Sequence, residues 1–325
     1  MDNILIIGAG ALGSRHLQGV LKVDRVLNVY CVDPSIESLK IAEERAKEIS
    51  SLSRIEFFQS LDELPYNEFE VVIIATNSHV RERIIFQLFS KNNVKHLILE
   101  KVLFQDIEAY ERVSNILKTT NTKVWVNHPR RMVSYYKDLQ KLITESNEKI
   151  IFNVVGGNWG LGCNGLHFID LLTYITNDKV SSIEEDWLDN VIQSSKREGF
   201  IEFTGTIKGI TEKGHVFTIT SFDGEASPVT ITIGSSSNRW IIEEGNNAKV
   251  IFFSKKNSFE RLENNFIIDF QSNFTTTLIT SLLKDASCNL PTYDEAAATH
   301  LFFIKNLLKK YTEITNTDTK LCPIT

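Results

Sequence analysis

The chain has 325 residues, 42% of them hydrophobic and 23% charged, enough for two domains that each bury a core, with the composition of a globular protein. Its formal net charge of −6 argues against a nucleic-acid partner, which favours a basic face. No apolar run reaches the length of a membrane span, and the Met1-Asp2-Asn3 start lacks the basic-then-apolar pattern of a secretory signal, so the expected location is the cytoplasm.

Ile4-Leu5-Ile6-Ile7 predicts a strand that runs into Gly8-Ala9-Gly10-Ala11-Leu12-Gly13. Leu12, Leu17, Val20 and Leu21 follow at helical spacing, and Val26 to Val32 forms a second apolar run ending at Asp33. Strand, glycine turn, helix, strand and acid together have the pattern that holds a dinucleotide. Gly8 permits the tight turn, Gly10 lets the backbone approach a pyrophosphate, and Gly13 lets helix and strand pack closely. The helix start, from Ala11 and Leu12 on, offers N–H groups and a positive dipole end to phosphate. Asp33 places a carboxylate where it accepts hydrogen bonds from ribose hydroxyls and repels a ribose phosphate, so the expected cofactor is NAD rather than NADP.

A helix is expected from Ile36 to Ile49, then a continuous apolar strand, Glu70 to Ala75, ending in Thr76-Asn77. A helix from about Val80 to Ser90 leads to the strand His96 to Leu99, which runs out into Glu100-Lys101. Another helix, Ile107 to Leu117, precedes a last strand, Lys123 to Val126. Alternating strands and helices predict a doubly wound parallel sheet in a domain of residues 1–126, with Gly8, Asp33, Thr76-Asn77, Glu100-Lys101 and Asn127 at the strand ends where ligands sit.

The grammar then changes, and residues 127–325 are expected to form a second domain, α+β, with an open, mostly antiparallel sheet. A helix (Val133 to Ile143) and a strand (Lys149 to Val155) lead to a glycine cluster, Gly156 to Gly165, which feeds a helix from about Leu166 to Ile175. From 180 to 253 the chain is mainly strands. Val229 to Ile233 alternates strictly, and Ile201, Phe203 and Ile207 alternate against Glu202, Thr204 and Lys208, as in strands with one buried face. Phe270, Phe274, Leu278 and Leu282 mark a helix. The final one, about 294–313, begins near Asp294 as N-cap and packs back toward the first domain, followed by a loose polar tail after Ile314. The four cysteines, Cys31, Cys163, Cys288 and Cys322, are far apart, as free thiols in a reducing compartment would be.

Two stretches carry chemistry. Lys101, at a strand end, is placed to reach a nicotinamide and donate hydrogen bonds to a substrate oxygen; the alternative is a solvated Glu-Lys pair. His167 and Asp170 share a helix face just after glycines that let a ligand approach the backbone, and a neutral imidazole suits removal of a hydroxyl proton. The alternative is a helix-start histidine with a local carboxylate partner. No further matched ligands point to a metal.

Taken together these stretches resemble the Gfo/Idh/MocA family of glucose–fructose oxidoreductase and inositol dehydrogenase-like enzymes. Gly8 to His16 resembles its G-x-G-x-x-G-x-x-H, and Ala75-Thr76-Asn77-Ser78-His79 its strand-end element, with His79 beside the cofactor. Leu99-Glu100-Lys101-Val102-Leu103 resembles its E-K-P-L, Arg130-Arg131-Met132 its N-R-R-F, and Gly165 to Asp170 its D-x-G-x-H-x-x-D; Leu290-Pro291-Thr292 fits the turn before the last helix. The resemblance implies NAD(P)-dependent oxidation or reduction of a sugar, cyclitol or nucleotide-sugar, with Lys101 orienting the substrate and His167 as acid/base. Asp170, Cys163 and Asn164 would line the substrate pocket. Two departures stand out: Cys163 occupies the place of the motif's first Asp, and Val102 replaces the proline after the lysine, which weakens the usual backbone constraint there. The resemblance points to the bacterial surface-polysaccharide branch, where Arg130 and Arg131 would pair with an anionic group such as a nucleotide phosphate or a sugar-acid carboxylate; the alternative is a pair of surface arginines capping the next helix region. A homodimer or homotetramer is expected. A redox-neutral NAD-using enzyme and a non-catalytic NAD-dependent sensor are the alternatives.

Overall fold

The computed structural model describes residues 1–245 and 247–325. In chain order it begins β1 (Asn3–Ile7), α1 (Gly13–Leu21), β2 (Asn28–Val32), α2 (Ile36–Lys47), β3 (Arg54–Phe58), β4 (Glu68–Ile74), α3 (Ser78–Lys91) and β5 (Asn93–Leu99). There follow α4 (Ile107–Leu117), β6 (Lys123–Val126), α5 (Ser134–Ser146), β7 (Ile151–Gly157), α6 (Leu161–Thr176), β8 (Val180–Ser194), β9 (Ile201–Thr211) and β10 (Val216–Phe222). The chain ends with β11 (Thr230–Gly234), β12 (Asn238–Glu243), β13 (Ala248–Ser254), β14 (Leu262–Phe266), α7 (Gln271–Asp285) and α8 (Tyr293–Thr315). Two compact units result: residues 1–104, 108–129 and 269–296, and residues 105–107, 130–268 and 297–325.

The first unit is a six-stranded parallel sheet in the order β3-β2-β1-β4-β5-β6, the doubly wound order of dinucleotide-binding domains. Ile4, Leu5, Ile6, Val71, Val72, Ile73, Leu97, Ile98 and Leu99 are fully buried, which is why β1, β4 and β5 read as unbroken apolar runs. The sequence reading missed β3, an edge strand whose residues stay half-exposed and lack that signature. Helix α7 belongs to this unit, together with residues 293–296 at the start of α8. Gly19 of α1 makes its packing on α7 possible: a Cβ there would lie 2.3 Å from the Ser272 carbonyl oxygen.

The second unit is an eight-stranded sheet, β14-β13-β12-β11-β7-β10-β9-β8, in which only β7 and β10 run parallel. Phe152, Val154, Ile207, Phe217, Ile219, Ile231 and Ile233 bury one face. On the other, Val216 pairs with Ile151 and Ile210, and all three are exposed. The alternation read for β9 fails at one end: Glu202 and Thr204 are buried along with Phe203.

Two expectations for the C-terminal region also need correction. Helix α8 is capped by Thr292, whose hydroxyl accepts from the Glu295 N–H at 3.4 Å while the Glu295 carboxylate accepts from the Thr292 N–H at 2.8 Å. This reciprocal capping box leaves Asp294 in the first turn. The tail is not loose at its end. Cys322 and Ile324 are fully buried, the Cys322 N–H donates to the Gln105 carbonyl at 3.1 Å, and the Ile201 N–H donates to the Pro323 carbonyl at 2.9 Å.

Candidate active site

The glycine turn of the first unit is shaped for a close ligand. Gly8 has φ +97°, a conformation that disfavours side chains, and its N–H donates to the Val32 carbonyl at 2.8 Å. A Cβ on Gly13 would lie 1.7 Å from the Gly8 carbonyl oxygen, whereas a Cβ on Gly10 would meet nothing within 4 Å. Gly10 therefore borders open space at the turn. Leu12, at the N-cap of α1, gives the helix start no side-chain hydrogen bond, so Ala11 and Leu12 lead into an uncapped N-terminus. Asp33 is held in place, its two oxygens accepting from the Ala9 N–H at 2.7 Å and the Ser35 N–H at 2.8 Å. Thr76, at the end of β4, has a buried hydroxyl with no partner in the protein, while Asn77 and His79 are exposed at the start of α3. Open space at Gly10, an uncapped helix start and an orphan hydroxyl fit a bound dinucleotide. Arg45, which the sequence reading missed, donates to the Ala11 carbonyl at 3.1 Å and to the Ser14 hydroxyl, bracing the turn from α2. Gly13→Ala is expected to displace this turn and weaken NAD binding by about 100-fold, measured by calorimetry alongside melting temperature. Unchanged affinity would show that the turn does not carry the phosphates.

Glu100, at the end of β5, is buried and hydrogen-bonded within the first unit. His16 Nε2 donates to Glu100 Oε1 at 2.9 Å, Asn127 Nδ2 donates to the same oxygen at 2.5 Å, and His16 Nδ1 meets the Thr275 hydroxyl at 2.8 Å. Burial alone would raise the Glu100 carboxyl, yet the His16 and Asn127 hydrogen bonds and the Lys101 charge outweigh it and hold it below its ordinary value. The Lys101–Val102 peptide is cis, although no proline follows the lysine. Arg81, buried to 1% exposure, donates to the carbonyls of Val102, Leu103 and Thr76, so one guanidinium ties the turn after β5 to the end of β4.

In the second unit α6 starts at Leu161, five residues before the expected Leu166. Gly160, at φ +79°, is its N-cap, and Gly162 and Gly165 lie inside the helix because its neighbours come close. A Cβ on Gly165 would sit 2.9 Å from the Phe303 ring. Glu202 of β9 closes the helix start, accepting from the Gly162 N–H at 2.7 Å and the Cys163 N–H at 3.2 Å. Cys163, Asn164 and His167 are half-exposed; Cys163, His167 and Asp170 follow one face. Asp170 is buried and receives two hydrogen bonds from Arg131, at 2.7 and 3.0 Å. Burial pushes the Asp170 carboxyl up, an effect that Arg131 only partly offsets. Arg130 lies 4.4 Å over the Phe168 ring and pairs with Glu244, which also accepts from the Tyr136 hydroxyl at 2.6 Å. Burial raises the Glu244 carboxyl, but Arg130 and Tyr136 reverse the shift and hold it below its ordinary value. Neither arginine is a surface cap, and each already has an internal carboxylate. Lys101 belongs to the first unit and His167 to the second. Among the described residues no cluster of three or more His, Cys, Asp or Glu side chains is arranged for a metal.

These features define a two-domain protein with a dinucleotide-binding domain and an open-sheet domain carrying a glycine-rich helix start. Residues 3–128 match the GFO_IDH_MocA model, described as "Oxidoreductase family, NAD-binding Rossmann fold". Among curated proteins, an uncharacterised protein of Acanthamoeba polyphaga mimivirus is 27% identical over 166 residues, covering 41% of this chain but only 10% of that protein. Three solved structures share the whole fold at low identity. Scyllo-inositol dehydrogenase of Lactobacillus casei, with NAD(H) and scyllo-inositol bound, has a TM-score of 0.70 at 16% identity, covering 96% of this chain and 97% of that one. UDP-N-acetylglucosamine 3-dehydrogenase of Acidithiobacillus ferrooxidans has 0.70 at 14%, covering 95% and 96%. The transcriptional regulator Gal80p of Kluyveromyces lactis has 0.71 at 16%, covering 96% and 92%. No described helix is long and apolar enough to cross a membrane.

Proposed function

We propose that the protein is an NAD-dependent dehydrogenase or reductase acting on a CH–OH group of a sugar, cyclitol or nucleotide-sugar. The observation that supports this most is the fixed turn after β5: Lys101 follows a carboxylate held by His16 and Asn127, and Arg81 binds the carbonyls just beyond it. A lysine that only decorates a surface needs no such anchoring, whereas one that must meet a reacting oxygen in one geometry does. The nicotinamide, when bound, supplies the carbon that accepts or returns hydride. Lys101 donates a hydrogen bond to the substrate oxygen, and its charge favours the alkoxide. His167 takes or returns the hydroxyl proton. Cys163 and Asn164 bound the sugar ring, and Asp170 fixes Arg131 behind them. The four free cysteines support a reducing, cytoplasmic setting. A second copy covering the exposed Ile151–Val216–Ile210 row accounts for that apolar face, and sedimentation velocity would expose a monomer.

One observation favours a second reading, an NAD-dependent sensor: Cys163 stands where the family motif has a carboxylate, and the fold is shared with a transcriptional regulator. The deciding experiment follows NADH absorbance with NAD+ and NADP+ against sugars, inositols and nucleotide-sugars. Turnover with NAD+ establishes the dehydrogenase. NAD binding with no turnover across the panel would defeat it in favour of the sensor, or of a redox-neutral reaction if a sugar is altered without net NADH. Preference for NADP+ would overturn the reading of Asp33.

A further inference from the structure

The start and inner side of α6 hold three sources of positive charge, and each is matched by a carboxylate of the same unit. The helix N-terminus, equivalent to roughly +0.5 charge, meets the buried Glu202 carboxylate on the Gly162 and Cys163 N–H groups. Arg130, lying on Phe168, is bound by Glu244, and Arg131, 5.4 Å from the Tyr174 ring centroid, is bound by Asp170 through both carboxylate oxygens. The side-chain pairs are largely withdrawn from solvent, with Arg130 and Glu244 at 20% and 15% exposure and Arg131 and Asp170 at 11% and 5%. In the first two turns of α6 the half-exposed side chains are a thiol, an amide and an imidazole, namely Cys163, Asn164 and His167.

This is the reverse of an anion site. An arginine that reads a phosphate or carboxylate keeps its planar fork of donors for the ligand. Here both forks are committed to glutamate or aspartate, and a full negative charge faces the partial positive charge of the helix end. An anionic substituent brought to this face would meet carboxylates with no uncommitted counter-charge among these groups, which is costly where water is displaced. Hydroxyl groups meet no like charge there: the Asn164 amide, which already donates to the Trp159 carbonyl at 2.9 Å, the imidazole and the weakly hydrogen-bonding thiol are polar without carrying a fixed negative charge.

We propose that Glu202, Glu244 and Asp170 are specificity-determining residues that make the α6 face select an uncharged polyol ring and reject one carrying a phosphate or carboxylate. This rests on the reading of α6 as the substrate helix and narrows the substrate class within it.

The test has two arms, both with NAD saturating so that the glycine turn is filled. In the first, turnover is compared within matched pairs: galactose with galacturonate, glucose with glucose 6-phosphate, and myo-inositol with its monophosphate. The neutral member should be favoured by about 100-fold in kcat/KM. Better use of the anionic member would overturn the proposal while leaving the oxidoreductase standing. In the second arm, inorganic phosphate is titrated calorimetrically. The wild type should give no saturable signal. Glu244→Gln, which leaves Arg130 without its counter-charge, should gain one that the added Arg130→Met removes. Glu202→Gln repeats the test at the helix start should Glu244→Gln fail to fold. Saturable phosphate binding to the wild type that Arg130→Met abolishes, or no gain in any folded variant, would overturn the proposal. If no sugar turns over, the proposed function falls, and the phosphate titrations still decide the charge argument.

Discussion

Lys101→Met and His167→Ala should each lower turnover by about 1,000-fold while NAD still binds. The magnitude follows from their proposed roles: a positioned general base contributes roughly 100- to 10,000-fold, and losing one electrostatic contact to a developing oxyanion costs about 100- to 1,000-fold. Binding should persist because the dinucleotide features lie elsewhere, at Gly8, Gly10, Gly13, Asp33 and Thr76. Calorimetry with NAD and single-turnover kinetics on the substrate found in the panel separate the two effects. A proton-transfer role for His167 also predicts that His167→Ala removes the limb of the pH–rate profile on which activity rises with pH, whereas Lys101→Met keeps it. Normal rates in either variant would sink that assignment. Loss of NAD binding in both would mean that these side chains hold the cofactor and leave the chemistry unassigned.

How far such roles could be read from sequence depended on the range of the interactions involved. The glycine turn and the β1 and β4 runs were legible because their signals are local: period, glycine spacing and a strand ending at Asp33. The helix start at Leu161 was not. Glycine ordinarily weakens a helix, and only the Phe303 ring against Gly165 and Glu202 against Gly162 explain why these glycines lie inside one. Glu202 itself read as the solvent side of an alternating strand, since nothing local marks a glutamate that will cap a helix 40 positions away. Likewise, Arg130 and Arg131 were visible as cations, but their availability depended on Glu244, 114 residues distant, and Asp170, 39 residues distant. Arg81 was legible only as a polar position on α3. Its burial follows from two strand-end turns coming within reach of one guanidinium. Residue types at a site were thus readable, but which charges were already neutralised was not.

Glu100→Gln should destabilise the protein by about 2 kcal/mol at neutral pH, the scale of a hydrogen bond to a charged group, and should flatten its acid unfolding. Glu100 carries two hydrogen bonds to its ionised form within a buried network that joins α1, the end of β5, Asn127 and α7. Its folded carboxyl is held below its ordinary value, so the folded state favours the ionised form more than the unfolded state does. The stabilisation is therefore fully present above the unfolded carboxyl range and is lost as pH falls through the folded value. An uncharged amide keeps the shape but has no proton to take up. Urea unfolding between neutral pH and the acid range should consequently show a gap between wild type and variant that is widest near neutrality and closes on acidification. Glu100→Ala, which leaves His16 Nε2 and Asn127 Nδ2 buried without their acceptor, should cost more, about 3–5 kcal/mol. A gap that stays constant with pH would place the acid-sensitive carboxylate elsewhere, and Glu244, also held low within a buried ion pair, is the group that Glu244→Gln would then implicate.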